Sequence, residues 1–238
     1  MRLTLRMETR LFDSIRDLTE FNEVGEIKLR LVIDEEGKTS VECIKGDKPL
    51  KSIPAKYKKD ETVVRISDVK KQLTDQYRRT RSMLEQSMED RTEFTAQEIA
   101  ILCGNPVVYP ILRDLVWISG RNMGFFKDMT LVDTNGKAVK LKDDSKMIIA
   151  HPYDMYSAGN WREFQKYLFD NQRVQTFKQV FRELYVKTDE ELERFDTMRY
   201  SGYQIQPKQT LGCLKGRRWV ADVEDGLQKI SYKENIIA

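Results

Sequence analysis

Three stretches of this chain alternate apolar and polar residues on either side of a turn. That two-residue period constrains the fold more than any other feature of the sequence. In "EIKLRLVIDEEGKTSVECI", Ile27, Leu29, Leu31 and Ile33 alternate with Lys28 and Arg30, and "DEEGK" supplies the turn. "MTLVDTNGKAVKL" repeats the arrangement around Asn135-Gly136, a favoured two-residue hairpin turn. "RWVADVEDGLQKISYK" does so around Asp225-Gly226. Each reads as a β-hairpin.

Between the hairpins the apolar spacing lengthens to that of helices. Leu11, Ile15, Leu18 and Phe21 predict a helix closed by Gly25. Ser67 is placed to cap a long helix with its apolar line on Val69, Leu73, Tyr77, Leu84 and Met88. Thr95 and Glu98 form a capping box, with Phe94 and Ile99 as staple and Gly104 as the stop. Asn105-Pro106 then opens "VVYPILRDLVWIS", which is apolar on nearly all sides and predicts a central buried helix. "KMIIAH" reads as a short strand, and Asn160 and Glu163 announce another helix. Phe177, Val180, Phe181, Leu184 and Tyr185 make a full helical stripe. Thr188 and Glu191 form a further capping box, and Gln206-Pro207 starts one more helix. The βαβ rhythm of a parallel sheet is missing. The expected fold is therefore α+β, three β-hairpins packed with a mainly helical core. It is expected as one domain over residues 1–238, with lobes 1–118 and 119–238.

Composition removes several functional classes. The chain has 238 residues, enough for a sizeable core. Its 41 basic and 38 acidic side chains leave a formal charge of +3, too little for a global nucleic-acid-binding field. The three cysteines, Cys43, Cys103 and Cys213, are dispersed, and there is a single histidine, so no zinc set forms and no metal is expected. Phosphate-loop, dinucleotide-binding, metalloprotease and serine-hydrolase motifs are missing, and no cofactor is expected. No apolar run approaches the ~18 residues of a membrane span, and the N-terminus lacks a signal-peptide pattern. A cytoplasmic protein is expected, without a membrane partner. The abrupt "ENIIA" ending reads as a piece of a longer chain.

The lone histidine gives the first candidate site. His151 stands at a strand end before Pro152, where a general base can be presented, with Asp154, Tyr153, Glu163 or Glu183 within reach as partners. The structural alternative is a ring bonded to a backbone carbonyl. Gln175, Gln179 and Arg182 form a second line beside the apolar stripe, suited to a carboxylate, a phosphate or a partner segment. A third candidate is the basic patch Lys215, Arg217 and Arg218 beside Trp219, matched by the cluster Lys51, Lys56, Tyr57, Lys58 and Lys59. The near-neutral total charge weighs against nucleic acid there.

"HPYDMYSAGNWREFQKYLFDNQRVQTFKQVFRELY" resembles a segment of large bacterial proteins described as molybdate-metabolism-regulator (MolR-like) proteins. In their pattern a His-Pro step precedes a Trp and then Gln-Pro-Phe-x-Gln-x-x-Arg-Glu. The matching positions are His151, Pro152, Trp161, Gln175, Phe177, Gln179, Arg182 and Glu183. Thr176 departs from the pattern's proline. The likeness extends from about Gly25 onward. It implies a C-terminal domain of unknown function, without established catalytic residues. The expectation is a non-enzymatic interaction or regulatory module that contacts a protein partner or upstream domains of its own chain. The alternatives are an enzyme using His151 as base and a nucleic-acid-binding module.

Overall fold

A computed structural model describes residues 15–194, 202–204, 206–214, 219–222 and 229–232. It divides into two units, Met1–Leu184 and Tyr185–Ala238. Helices and antiparallel strands occur in both, so the fold is α+β.

Among the described residues the first unit begins with a 3-10 turn, Arg16–Thr19, and then four strands. β1 (Asn22–Val24), β2 (Ile27–Ile33), β3 (Thr39–Lys45) and β4 (Lys48–Pro49) form an antiparallel sheet in that order. Ile27, Leu29 and Leu31 are buried while Lys28 is exposed, as the alternation requires. The helix expected to end at Gly25 is replaced here by the 3-10 turn and β1. Asn22 pairs with Leu29 and Val24 with Ile27, so cross-strand pairing overrides the local stripe. Gly25, at φ +57°, sits in the β1–β2 turn instead of closing a helix.

The turns of the two expected hairpins that fall within the described residues share one construction. Asp34 Oδ1 accepts from the N–H of Glu36 and of Lys38, and Gly37 lies at φ +77°. Asp133 Oδ1 accepts from the N–H of Asn135 and of Lys137, and Gly136 lies at φ +82°. The turn around Asn135-Gly136 is thus longer than two residues, with only the glycine in the left-handed region. An aspartate anchors it because its carboxylate satisfies two turn amides at once.

Helix α1 (Glu61–Glu89) starts earlier than expected, because Asp60 accepts from Thr62 N–H and caps it. Ser67 lies inside the helix, its hydroxyl donating to Val63 O. At 29 residues it is about 43 Å long, enough to serve two cores. Val63, Ile66, Val69 and Leu73 pack with the first sheet. Leu84 and Met88 pack with the second core, and Tyr77 touches both.

The second sheet has six strands: β5 (Phe94–Thr95), β6 (Val116–Ser119), β7 (Asn122–Lys127), β8 (Thr130–Val132), β9 (Ala138–Lys140) and β10 (Lys146–Ile149). Their order is β5-β10-β6-β7-β8-β9, all antiparallel. Between β5 and β6 lie α2 (Ala96–Cys103), with its Thr95/Glu98 capping box intact, and α3 (Tyr109–Leu112). Asn105 does not cap a helix at Pro106 as expected; its Oδ1 accepts from Val107 and Val108 N–H in the turn before α3, whose N-cap is Val108. The long buried helix after it is only the short α3. Residues 116–119 leave it to become the strand between β7 and β10. A run apolar on all sides suits a central strand as well as a buried helix.

Val116 and Trp117 point to opposite faces of that sheet. Trp117 joins the core made with α1, α2 and α3. Val116 joins Phe125, Met155, Phe164 and Leu168, under α4 (Pro152–Ser157) and α5 (Trp161–Asp170). The sheet is covered on both sides. The second unit comprises α6 (Asp189–Arg194), α7 (Pro207–Leu214) and the antiparallel pair β11 (Trp219–Asp222) and β12 (Lys229–Tyr232). The expected Thr188/Glu191 capping box is present. The turn at Asp225-Gly226 lies outside the described residues. Among the described residues no helix is long and apolar enough to cross a membrane.

Candidate functional site around His151

His151 is the N-cap of α4, at the point where β10 ends. Proline at the next position has no N–H, so the first amide needing a partner is that of Tyr153. It donates to His151 Nδ1 at 3.2 Å. In return Asp154 accepts from His151 N–H at 2.7 Å, completing a capping box. The ring is thus a structural acceptor from an amide, where the sequence suggested a bond to a carbonyl. Nδ1 accepts only when unprotonated, so the cap requires the neutral imidazole with its hydrogen on Nε2. The half-buried ring is less basic than usual, first because burial penalises its charge. Arg182 and Arg91 add to that, while Asp154 and Glu89 oppose it. Arg91 also donates to the Asp154 carboxylate.

The stretch after α5 departs most from expectation. The stripe from Phe177 to Tyr185 does not form a helix; residues 173–188 run without regular secondary structure. Phe177 is buried in the core of Trp117, whereas Val180 is buried on the other face with Val116. One helical face cannot serve both sides of a sheet. The segment therefore crosses the end of the sheet as a strap, and Tyr185 belongs to the second unit.

Side-chain amides replace the backbone bonds that a helix would have made. Gln179, fully buried, donates through Nε2 to Val116 O at 2.8 Å and Ala150 O at 2.7 Å. Its Oε1 accepts from Val116 N–H at 2.9 Å and from Gln175 Nε2 at 2.8 Å. Gln175 Nε2 also reaches Asp114 O, and its Oε1 accepts from Val180 N–H. Val180 O in turn accepts from Trp161 Nε1 at 2.7 Å. These two glutamines do not line an open groove; they complete the hydrogen bonding of the strand ends around β6 and β10. Thr176, just before the stripe that starts at Phe177, has a buried hydroxyl without a partner.

Arg182 folds back onto α1, donating to Glu89 at 2.8 Å, to the Glu85 carboxylate, and through Nε to Lys178 O. Glu183 is almost fully exposed, 4.0 Å from Lys178. Tyr153 is exposed and stacks on Tyr156, whose ring meets Trp161 edge-on. The structure thus gathers His151, Asp154 and Arg182 at the C-terminal end of α1 and leaves Glu183 outside. Sequence reasoning missed Arg91, Glu85, Glu89 and the buried Asp114, which pairs with Arg113 and Arg173. Those partners are far apart in the chain, and no local pattern announces them.

Of the basic patch, Lys215, Arg217 and Arg218 lie outside the described residues, and Trp219 is described only as the start of β11. In the other basic cluster Lys56 sits over the Tyr57 ring and 3.6 Å from Glu26. Burial raises the thiol pKa of Cys43 and pushes that of Cys103 up to about 12, so both are poor nucleophiles at neutral pH. Among the described residues no group of three His, Cys, Asp or Glu side chains is placed to hold a metal ion.

These features define an α+β protein whose central antiparallel sheet is closed at one end by a glutamine-anchored strap. Residues 47–219 match the family described as "Domain of unknown function (DUF4132)", and the chain belongs to that family. No curated protein matches it, and no solved structure does.

Proposed function

We propose that this chain is a non-enzymatic interaction and regulatory module of a large bacterial cytosolic protein, of the MolR-like kind its sequence resembles. Its contact surface, on this reading, is the apolar face formed by α5 and the strap. The observation that carries the proposal is one of exposure. Phe169 is 78% exposed, Val174 84% and Phe181 48%, and together with Leu168 they line one concavity of about 640 Å3. Large apolar side chains grouped in this way are costly in water and mark contact sites. Charged pairs flank them, Lys166 with Asp170 and Arg173 with the buried Asp114. An apolar centre with a polar rim is the anatomy of a protein interface. The occupant is therefore an apolar segment of a polypeptide partner.

In this reading Gln175, Gln179 and Arg182 build the face without touching the partner. The enzymatic reading has less support. The His151 ring is spent on capping α4, and Asp154 faces the backbone N–H of His151. The test is a photo-crosslinking side chain placed at Phe169 in the intact protein in cells, with the same group at the exposed Glu183 as control. A discrete polypeptide adduct is expected at 169 and not at 183. Identical background at both positions overturns the proposal.

A further inference from the structure

The turn between β8 and β9 holds the chain's one Asn-Gly step, Asn135-Gly136. The other asparagines are followed by Glu23, Pro106, Met123, Trp161, Gln172 and Ile236. The amide carbon of an asparagine and the backbone nitrogen of the next residue close a five-membered ring when they bond. A side chain on that next residue crowds the approach, and glycine has none. Both residues are exposed at the tip of the turn, and a Cβ on Gly136 would meet nothing within 4 Å. Among the described residues no hydrogen bond holds the Asn135 side chain. Other asparagines are held. Asn171 Nδ2 donates to Tyr167 O at 2.8 Å and Asn22 Nδ2 to Glu20 O at 2.9 Å. Asn105 Oδ1 accepts from Val107 N–H at 2.9 Å, and Asn160 Oδ1 is buried. Asn122 is exposed, but β7 pairs it with Ser119 and Met123 follows it. Among the described residues Asn135 alone joins exposure, a side chain without a hydrogen bond and a glycine neighbour.

The same turn supplies a brake. Gly136 N–H donates to Asp133 O at 3.1 Å. Asp133 Oδ1 holds the N–H groups of Asn135 and Lys137, each at 2.9 Å. The glycine nitrogen is therefore free to react only when this network opens. Opening at an exposed loop tip costs far less than global unfolding.

We propose that Asn135 is a site of spontaneous deamidation whose rate is set by the Asp133-anchored turn. Gly136 N gives its proton to solvent base and bonds to Asn135 Cγ. The Cγ–Nδ2 bond breaks, and the nitrogen takes up a proton from water and leaves as ammonia. Water then opens the cyclic imide at one of its two carbonyls. In sum one water is consumed and one ammonia released, with nothing oxidised or reduced. Opening at Cγ leaves aspartate at position 135. Opening at the main-chain carbonyl leaves isoaspartate, whose backbone is longer by one methylene. Either product sets a new carboxylate in the turn beside Asp133. The longer backbone cannot keep both Gly136 N–H on Asp133 O and Asp133 N–H on Lys137 O, so the β8–β9 turn loosens. The site stands whether or not the face on α5 and the strap binds a protein.

The experiment holds the folded 238-residue chain in mildly alkaline buffer beside a urea-unfolded sample. Peptide mapping by mass spectrometry follows each asparagine with time, and fragmentation separates aspartate from isoaspartate. In the folded chain Asn135 is expected to convert at least about tenfold faster than Asn122 or Asn171, a barrier lower by roughly 1.4 kcal/mol. Asp133→Ala removes the acceptor of two turn amides and should quicken the conversion several-fold. Amide exchange at Gly136 and Lys137 should quicken as isoaspartate accumulates. If position 135 stays intact in the folded chain over a period that converts it in urea, the site is overturned. Equal rates at Asn122 and Asn135 overturn the role given to Gly136, and an unchanged rate in Asp133→Ala overturns control by the turn.

Discussion

Gln179 holds Val116 by both ends of its amide, donating to the carbonyl at 2.8 Å and accepting from the N–H at 2.9 Å. The pair mimics one rung of an antiparallel ladder, made by a side chain from a segment that is not a strand. It lies where β6 begins and β10 ends, and the same amide also takes Ala150 O.

Replacing this amide tests whether it organises the strap. Gln179→Ala leaves Val116 N–H and Ala150 O without that partner in a buried site. With each unsatisfied group costing about 1–3 kcal/mol, a loss of roughly 3 kcal/mol or more is expected. Gln179→Glu should be at least as damaging, because a carboxylate would then face two carbonyl oxygens. Urea unfolding of the three proteins checks the order. A Gln179→Glu protein as stable as wild type would refute the assigned geometry.

Acid should weaken the α4 cap. The folded-state pKa of His151 is depressed below its ordinary value near 6.5, chiefly by burial. The unfolded chain therefore binds the proton first. The stabilisation is fully present above about 6.5 and is lost as pH falls toward the depressed folded value. Protonation removes the acceptor for Tyr153 N–H and adds a cation near Arg91 and Arg182. His151→Asn keeps a cap acceptor without the titration. Its stability should change less between pH 7 and pH 5 than that of wild type, as measured by thermal or urea unfolding across that range.

Arg182 resolves a conflict within α1. Glu85 and Glu89 are four residues apart near the C-terminal end of the helix, where they repel each other and meet the negative end of the helix dipole. Both pair with Arg182. Arg182→Ala should cost about 1–2 kcal/mol, and hydrogen exchange should quicken in residues 177–184. Adding Glu85→Gln and Glu89→Gln to Arg182→Ala should recover part of the loss, which a mutant cycle in urea measures.

Gly124 is set by close approach between strands. A Cβ there would lie 2.4 Å from Val132 O, on the neighbouring strand. Gly120, at φ +59°, has open space around it. Gly124→Ala should therefore destabilise more than Gly120→Ala, by at least about 1–2 kcal/mol. Paired thermal melts decide the order.

Features written within a few residues were legible in the sequence. The Thr95/Glu98 and Thr188/Glu191 boxes appear as expected, the turns at 34–38 and 133–137 fall where expected, and Asn105 bonds the amides just after it. Each joins groups no more than four residues apart, so local chemistry decides it. The failures share the opposite character. The 116–119 strand exists because β7 and β10 flank it, and Gly25 turns because β1 pairs with β2.

The same contrast governs the candidate site. The sequence determined that His151, Gln175, Gln179 and Arg182 were polar groups set beside a strongly apolar pattern. It determined the strand period, two capping boxes and the class of fold. Only the tertiary structure decided what those polar groups do. The strap must bury Phe177 on one face of the sheet and Val180 on the other, which no helix can do. Once the helix is lost, its backbone needs new partners, and the glutamine amides bind the strand ends while Arg182 pairs with glutamates more than ninety positions away. Partnerships over such distances depend on which surfaces the packed sheet brings together, and no local spacing encodes them.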